Sequence, residues 1–222
     1  MYIFVTGSDT DVGKSYVSGG ICRELLNHNE TVGYLKPFQS GVIEGVLSDA
    51  DKIQTLGKDI ITKSSYITNT PSTPLISAEI DNIEFDLAKI TADYEILKKN
   101  CQNVIVEGSG GIYVPVKKGV LMADIIKRLN IPALIVARPD LGTINHTLMT
   151  IDCLINNDIK VLGVVISDYP DKTTDPVLTR VKEMIELFSN NVKVLDIIKH
   201  NQKDFSLVTS KIIENLSMRC CF

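Results

Sequence analysis

The sequence has no tryptophan, and its 222 residues include only five cysteines and three histidines. No two cysteines form a Cys-x-x-Cys pair, and none has histidines near it at the spacing of metal ligands. A zinc site or a disulfide framework is therefore not expected, and a reducing cytoplasm is the setting that fits. A redox role for the vicinal Cys220 and Cys221 is not expected either, because chain ends tolerate unusual residues.

An excess of basic charge is also missing. Lysine and arginine number 23 against 27 aspartates and glutamates, so the net charge is −4. This balance argues against nucleic acid or an anionic membrane surface as a partner. No apolar run approaches the roughly 20 residues that a membrane helix needs. Residues 1–5 lack the positive region and cleavage site of a signal peptide, so we expect a soluble, cytoplasmic protein.

The sequence does contain a regular alternation of two kinds of segment. Its 44% hydrophobic and 23% charged residues are ordinary for a globular protein. Short apolar runs rich in β-branched residues alternate with longer runs of helical periodicity, which is typical of repeated βαβ units. The apolar runs are continuous, as in a parallel sheet covered on both faces. We therefore predict a three-layer, doubly wound α/β fold with a mainly parallel sheet, forming a single domain over residues 1–222.

The alternation predicts the positions of individual strands and helices. The predicted strands are Tyr2–Thr6, Thr31–Lys36, Asn103–Glu107, Ala133–Ala137, Val161–Ile166 and Val192–Ile197. The predicted helices are Lys14–Asn27, Ser48–Leu56, Phe85–Lys99, Leu121–Leu129, Thr143–Asn156, Pro176–Ser189 and Asp204–Leu216. Ser48 is expected to cap its helix. Thr62–Ser77 is rich in Ser, Thr and Pro and interrupts the alternation, so it is predicted to be a loop.

The strongest chemical signal is Gly7–Ser15, between the first predicted strand and the first predicted helix. It reads Gly-Ser-Asp-Thr-Asp-Val-Gly-Lys-Ser, one residue longer between its glycines than an ordinary Walker A loop. In such loops backbone N–H groups and the following helix bind phosphate, while Lys14 would reach the outer phosphates and Ser15 would ligate magnesium. The alternative is an ordinary strand-to-helix turn. Strand, loop and helix follow in the order that phosphate binding requires, which favours a fold of the P-loop NTPase type.

Four further segments lie where an open α/β sheet assembles its ligand site, beyond the carboxyl ends of the strands. Lys36–Gly41 offers a cation, and Ser48–Asp51 offers a carboxylate at a helix start. Val106–Gly111 places a carboxylate before three glycines, in the Walker B position, and Leu141–His146 begins a helix. Taken singly, each segment has an ordinary explanation: a solvated lysine, helix capping, a flexible turn or a polar helix residue. Together they predict a nucleotide site.

In this order the motifs resemble those of the dethiobiotin synthetase family, over residues 1 to about 170. The loop Thr6–Ser15 is similar to the family's Thr-Gly-Thr-Asp-Thr-acidic-Val-Gly-Lys-Thr, which accounts for the extra residue. The other matching motifs are Lys36-Pro37 with Ser40-Gly41, Ser48-Asp49, Val106-Glu107-Gly108-Ser109-Gly110-Gly111 and Leu141-Gly142-Thr143-Ile144-Asn145-His146. The resemblance implies an ATP- and magnesium-dependent ligase of biotin biosynthesis. Such an enzyme closes a ureido ring on 7,8-diaminopelargonate with CO2 or bicarbonate, through a carbamate and a carbamic-phosphoric anhydride.

The resemblance also implies roles for individual residues. Catalytic roles fall to Thr10, Lys14 and Lys36, and Mg²⁺ binding falls to Ser15, Asp49 and Glu107. The implied nucleotide contacts are Asp11, Val12, Gly13, Lys14, Ser15, Tyr16, Asp49, Glu107, Gly108, Ser109, Gly110, Ser167 and Asp168. The implied contacts to the diamine are Thr10, Ser40, Gly142, Thr143, Ile144 and Asn145, the last four across the interface of a homodimer.

A switch ATPase of the partition or septum-positioning type is the alternative from another functional class, because it is related in fold. Those proteins carry a second lysine early in the phosphate loop, and residues 8–12 of this sequence contain none. No amphipathic membrane-binding tail follows Leu216. The synthetase is therefore the favoured hypothesis.

The sequence departs from the family where the base is expected to bind. The family usually has Asn-Asp where this chain has Ser167-Asp168. The family's Gly-x-Ile-Pro-aromatic segment appears here as Asp196-Ile197-Ile198-Lys199. A serine is too short to make the paired donor and acceptor contact that asparagine makes with a purine edge. Recognition of the base is therefore expected to be weak.

We predict that catalytic efficiencies for ATP, GTP and CTP differ by only about a factor of a few, since a lost hydrogen-bond pair corresponds to about 1–3 kcal/mol. Asp168 can still accept from a guanine edge, so GTP or another nucleoside triphosphate is expected to be used as well as ATP. A ring-closing assay with each nucleotide measures the ratios. A preference for ATP above about a hundredfold, roughly 2.7 kcal/mol, would mean that another part of the C-terminal third reads adenine.

Overall fold

Strands and helices alternate along the chain, as the sequence predicts. The computed structural model describes residues 1–43, 45–170, 172 and 175–217, so Cys220 and Cys221 lie outside the described residues. The strands are β1 (Tyr2–Gly7), β2 (Val32–Gln39), β3 (Ile60–Ile67), β4 (Asn103–Gly111), β5 (Pro115–Lys117), β6 (Val120–Leu121), β7 (Ala133–Ala137), β8 (Val161–Tyr169) and β9 (Val194–Lys199). The helices are α1 (Lys14–Asn27), α2 (Asp49–Gln54), α3 (Pro74–Asp81), α4 (Leu87–Asn100), α5 (Met122–Leu129), α6 (Thr143–Asn156), α7 (Pro176–Phe188) and α8 (Ser206–Ser217).

Seven of the strands form one parallel sheet in the order β3-β2-β4-β1-β7-β8-β9. The chain first builds outward from β1 on one side, inserts β4 between β1 and β2, and then crosses to β7 on the other side. All seven strands therefore end at the same edge of the sheet, and β1 and β4 lie side by side at its centre. The short strands β5 and β6 form a separate antiparallel pair.

Two apolar clusters, one on each face of the sheet, make three layers. One face packs against α1, α2 and α8, and the other packs against α4, α5, α6 and α7. Strand residues are apolar on both sides for this reason, and the fold predicted from continuous hydrophobicity is confirmed. That residues 1–222 form a single domain stays a prediction. No helix in the described ranges has both the length and the apolar character of a membrane span.

Three predicted elements have the bounds that the structure shows, namely Lys14–Asn27, Ala133–Ala137 and Thr143–Asn156. The predicted helix cap is also confirmed. The Ser48 hydroxyl accepts from the Asp51 backbone N–H at 3.1 Å, and the Asp51 carboxylate accepts from the Ser48 backbone N–H at 2.9 Å. This reciprocal capping box fixes the start of α2.

The prediction of a loop over Thr62–Ser77 is wrong. The segment contains most of β3 and the first half of α3, and only residues 68–73 connect them. Strand β3 lies at the edge of the sheet and pairs only with β2 among the described residues. Only Ile60 and Ser65 of its eight residues are buried, so an edge strand can contain several Ser and Thr residues without losing its pairing.

Several predicted strand ends, including Ile166, come too early. The two nearest the cavity are those of β2 and β4, which continue into the motifs that follow them. Strand β2 pairs with β3 beyond Pro37, as far as Gln39, so Lys36 lies inside a strand rather than at a turn. Strand β4 continues through Gly108–Gly111, where its last residue is level with Gly7 of β1. Both motifs are therefore held by the sheet.

A test of the packing between α1 and the segment before α8 comes from Gly20. A Cβ atom there would lie 2.4 Å from ring atoms of the buried Phe205. We expect Gly20→Ala to lower the urea midpoint, because overpacking costs about 1–3 kcal/mol and exceeds the gain in helix propensity of about 1 kcal/mol. In a Phe205→Ala background the same substitution should raise the midpoint. An equal effect in both backgrounds would contradict this packing.

Candidate active site

Two glycines shape the loop between β1 and α1. A Cβ atom at Gly7 would lie 2.5 Å from the Asp9 carbonyl oxygen and 2.9 Å from Nζ of Lys14. Gly13 has a φ of 90°, in the left-handed region that favours glycine. Helix α1 begins directly after Gly13 with no side-chain cap and no acidic residue in its first turn. Its first N–H groups and its positive end are therefore available to an anion.

The carboxylate of Glu107 is completely buried and accepts hydrogen bonds from three side chains. Its Oε1 atom accepts hydrogen bonds from Oγ of Ser15 at 2.7 Å and from Nζ of Lys36 at 2.6 Å. Its Oε2 atom accepts from the Tyr34 hydroxyl at 2.9 Å. Nζ of Lys36 also lies 3.0 Å from Oδ2 of Asp49. The structure thus brings the three predicted Mg²⁺ ligands together with a predicted catalytic lysine.

Burial and pairing determine the protonation states in this cluster. Burial acts to lower the pKa of Lys36, but the carboxylates of Glu107 and Asp49 outweigh burial and raise it. Burial acts to raise the pKa of Asp49, but the charge and hydrogen bond of Lys36, together with Lys52 and Ser15, outweigh burial and lower this pKa. Burial and the Glu107 carboxylate raise the pKa of Tyr34 well above its usual value. At neutral pH Lys36 and Asp49 are therefore charged, and Tyr34 keeps its proton.

The second predicted lysine, Lys14, lies over the phosphate loop. Its ammonium donates to the Asp9 carbonyl oxygen at 3.0 Å, and the residue is only 7% exposed. Burial, and then repulsion from Lys36, lower the pKa of Lys14 to about 8. A bound anion would counteract both effects, because a nearby negative charge favours the protonated amine. The site therefore has a cation that gains from an anionic ligand.

A cavity of about 730 Å³ joins these groups at the carboxyl edge of the sheet. The predicted site residues on its wall are Thr10, Asp11, Gly13, Lys14, Ser15, Tyr16, Lys36, Ser40, Asp49, Glu107, Ser109 and Gly110. Val12 and Gly108 are buried behind this wall. The wall residues that the sequence analysis missed are Phe38, Gln39, Pro71, Ser72, Thr73, Pro74 and Val114.

Four of the seven missed residues, Pro71–Pro74, form the end of the connection after β3 and the first residue of α3. The prediction of a loop over Thr62–Ser77 does not show that Pro71–Pro74 follow the end of a parallel strand. A strand prediction over Ile60–Ile67 would have placed the connection at the carboxyl edge, where ligands bind. Gln39 belongs to the predicted Lys36–Gly41 segment, and its amide oxygen accepts from the Asp49 backbone N–H at 3.1 Å. This contact ties the start of α2 to the end of β2.

The two predicted base contacts at the end of β8 lie off the cavity wall. Ser167 is 1% exposed, and its hydroxyl oxygen has no hydrogen-bond partner among the described residues. A Cβ atom at Gly13 would lie 2.5 Å from that oxygen, so Ser167 packs directly beneath the phosphate loop. Asp168 is exposed, and its Oδ1 atom lies 2.6 Å from Nδ1 of His200. Base recognition by these two residues stays a prediction.

Tyr16, in the first turn of α1 after the phosphate loop, contacts the C-terminal part of the chain. Its hydroxyl donates to the Gln202 carbonyl oxygen at 2.5 Å, and its ring meets Phe205 edge to face at 5.6 Å. The segment after β9 is therefore held against the first turn of α1. This contact borders the cavity from the side of β8 and β9, where the sequence analysis places the base.

The predicted substrate segment Gly142–Asn145 begins α6 and is absent from the wall of the 730 Å³ cavity. Thr143 is buried, whereas Asn145 is exposed on the surface. The following residue, His146, has its Nδ1 atom 3.8 Å from a carboxylate oxygen of Asp9. His146 lines a second cavity of about 350 Å³, which shares wall residues with the first. The start of α6 is thus next to the site without entering it.

Comparisons with known proteins extend the resemblance beyond the motifs. A family model described as an AAA domain matches residues 2–203. The ATP-dependent dethiobiotin synthetase of Methanococcus vannielii is 40% identical over 210 residues, covering 95% of this chain and 98% of the relative. That of Methanocaldococcus jannaschii is 37% identical over 215 residues, covering 95% and 99%. The alignments thus include the C-terminal part of the chain.

Solved structures of lower identity share the fold. The MinC:MinD cell division protein complex of Aquifex aeolicus matches with a TM-score of 0.60 and 15% identity, covering 95% of this chain and 86% of that one. A ParA family ATPase from Chlorobium tepidum matches with a TM-score of 0.57 and 10% identity, covering 98% and 93%. At such identities the likeness concerns the fold alone. The identity to the curated relatives is much higher and covers nearly their full length, so the chain belongs to the ATP-dependent dethiobiotin synthetase family.

Proposed function

We propose that this protein is an ATP-dependent ligase that converts 7,8-diaminopelargonate and CO2 to dethiobiotin, with ADP and phosphate as the other products. The name of its relatives supports this activity. The observation that carries the proposal is the meeting of five polar groups at one cavity, those of Lys14, Ser15, Lys36, Asp49 and Glu107. These groups provide the cations and hard oxygen ligands that phosphoryl transfer needs.

The donor set fits Mg²⁺. Ser15, Asp49 and Glu107 offer a hydroxyl and two carboxylates, and Mg²⁺ is usually held by one or two carboxylates together with phosphates and water. No group of three His, Cys, Asp or Glu side chains that could hold a metal occurs among the described residues, so the protein alone provides an incomplete shell. When bound, Mg²⁺ would neutralise charge on the triphosphate and help to orient it.

The reaction requires a negative charge to be stabilised at two successive points. One amine of the substrate attacks CO2 and loses a proton, which forms a carbamate. A carbamate oxygen then attacks the γ-phosphorus of ATP, and ADP leaves. The second amine attacks the carbamate carbon, loses a proton and displaces phosphate, which closes the ring. Lys14 and Lys36 are the two buried ammonium groups that would face the carbamate and the transferred phosphoryl group.

Hydroxyl groups on the cavity wall would orient the diamine and its carbamate. Thr10 lies on the phosphate loop, Ser40 follows β2, and Ser72 and Thr73 precede α3. They come from three different segments of the cavity wall. Hydroxyls can both donate to a carbamate oxygen and accept from an amine, which suits a substrate that changes from one to the other.

The homodimer is the further part of this proposal. The start of α6 in one subunit would bind the carboxylate of the diamine that lies in the site of the other subunit, since a helix N-terminus favours an anion. Asn145 is exposed there, and large apolar side chains nearby are exposed as well, with Tyr113 at 60%, Leu141 at 97% and Met149 at 55%. A second copy of the chain would cover this apolar surface.

A cytoplasmic location is also proposed. ATP is available there, and reducing conditions keep the free thiols of Cys22, Cys101 and Cys153 unpaired.

A switch ATPase is not favoured. The neighbours of that type match at 15% identity or less, which concerns the fold alone, and the phosphate loop has no lysine among residues 8–12. The direct test measures phosphate release from ATP with and without 7,8-diaminopelargonate and bicarbonate, together with dethiobiotin formation. Release that depends on both substrates supports the ligase. Release that ignores both would favour the switch ATPase.

We predict that Lys36→Ala lowers kcat by about 10²–10³, the usual effect of removing one stabiliser of a developing anion. Lys52→Ala is the matched control, because Lys52 approaches the same Asp49 carboxylate from solvent at 3.7 Å and is 61% exposed. It should leave kcat within about twofold, since exposed ion pairs contribute little. Circular dichroism checks that both variants fold. Near-normal turnover by Lys36→Ala would remove this lysine from the mechanism.

We predict that the active unit contains two chains and that Asn145→Ala raises KM for the diamine more than KM for ATP. The substrate carboxylate would lose a contact at the start of α6, whereas the nucleotide site would be unchanged. Asn156→Ala at the exposed far end of the same helix is the control and should change neither KM. Light scattering measures the mass. Equal effects on both substrates, or a mass of one chain, would contradict the shared site.

A further inference from the structure

Tyr34 is a completely buried residue of β2, and the motifs of the sequence did not include it. It precedes Lys36 by two residues, so both side chains project from the same face of the strand. That face is covered by α1, and the Tyr34 ring belongs to the apolar cluster beneath this helix. Its hydroxyl emerges from the cluster at Glu107, where it donates to Oε2 at 2.9 Å. The Tyr34 ring is thus part of the core, while its hydroxyl contacts the central carboxylate of the site.

The two oxygens of Glu107 have different partners. Oε1 accepts from Ser15 at 2.7 Å and from Lys36 at 2.6 Å, and both of these residues line the cavity. Oε2 accepts from Tyr34, which is absent from the cavity wall. The hydrogen bond from Tyr34 therefore fixes the plane of the carboxylate from behind. It leaves Oε1 as the oxygen presented to the cavity.

We propose that Tyr34 is a positioning residue, whose hydroxyl holds Glu107 in the orientation that binds the magnesium–nucleotide complex. The inference rests on the proposed function, because it takes Glu107 as a ligand of Mg²⁺. In metal sites, residues that do not touch the metal orient the ligating carboxylates through hydrogen bonds, and the loss of such a bond typically lowers metal affinity or activity about 10–100-fold. Tyr34 would act through Glu107 and would touch neither the nucleotide nor the diamine.

The substitution Tyr34→Phe isolates this contact, because the ring keeps its place in the core and only the donor is lost. Without it, Oε2 remains buried with no donor, and the carboxylate is free to turn away from Ser15. The matched control is Tyr94→Phe, since Tyr94 is also buried but belongs to α4 on the opposite face of the sheet. Thermal unfolding compares the stability of all variants.

The experiment measures binding of the non-hydrolysable analogue AMP-PNP by calorimetry, in EDTA and over a series of Mg²⁺ concentrations. For Tyr34→Phe we expect the half-saturating Mg²⁺ concentration to rise about tenfold or more, while affinity in EDTA changes less than about twofold. Tyr94→Phe should match the wild type in both conditions. In a Glu107→Gln background, adding Tyr34→Phe should have no further effect on the Mg²⁺ dependence.

Two results would overturn the proposal. One is an unchanged Mg²⁺ dependence in a folded Tyr34→Phe variant. The other is an equal effect of Tyr34→Phe with and without Glu107→Gln, which would assign the effect to the core rather than to the carboxylate. If Tyr34→Phe alone does not fold, thermal unfolding of the double variant with Glu107→Gln tests the proposal instead. Removing the buried charge should then restore folding, and continued unfolding would count against the proposal.

The proposed function can fail separately from this inference. If the wild type releases phosphate without needing the diamine, the ligase assignment fails, yet the Mg²⁺ dependence of AMP-PNP binding still tests Tyr34. If the wild type forms dethiobiotin but Tyr34→Phe binds Mg²⁺ normally, only the positioning role fails.

Discussion

The site depends on one buried charge. Glu107 lies in β4 with no exposed surface, and a buried carboxylate without partners would cost several kcal/mol. It is compensated by Ser15 from the start of α1 and by Tyr34 and Lys36 from β2. These contacts fix the start of α1 and the residues of β2 relative to Glu107 in β4. The positions of Ser15 and Lys36 therefore follow from the need to satisfy this single group, and Lys36 in turn pairs with Asp49 of α2.

The strand order makes this arrangement possible. Because β4 lies between β1 and β2, Glu107 is beside the phosphate loop on one side and beside Lys36 on the other. A sheet that placed β2 directly against β1 would separate these groups. The chain reverses direction across the sheet after β4, and open α/β sheets bind ligands at such a switch point. The strand order of the structure and the motifs of the sequence therefore point to the same position for the site.

The sequence predicted the fold class and most of the cavity wall, because both depend on patterns that are local in sequence. Continuous apolar strands imply two covered faces, and a glycine loop before a helix implies an anion site. Two features were beyond such patterns. The edge strand β3 resembles a loop because Thr62, Ser64 and Ser65 interrupt its apolar residues, so Pro71–Pro74 were missed as cavity residues. Tyr34 resembles any core aromatic, since only the three-dimensional structure shows where its hydroxyl ends.

The same charges also explain why the site would attract a nucleotide although Lys36 is already paired with two carboxylates. Lys36 is neutralised by Glu107 and Asp49, so its charge alone gives little net attraction for a triphosphate. The remaining attraction comes from the first N–H groups of α1 and from Lys14. Burial and Lys36 lower the pKa of Lys14 to about 8, and its amine donates to the Asp9 carbonyl oxygen. An anion between Lys14 and the helix terminus would counteract both effects, so the environment of Lys14 favours an anionic ligand.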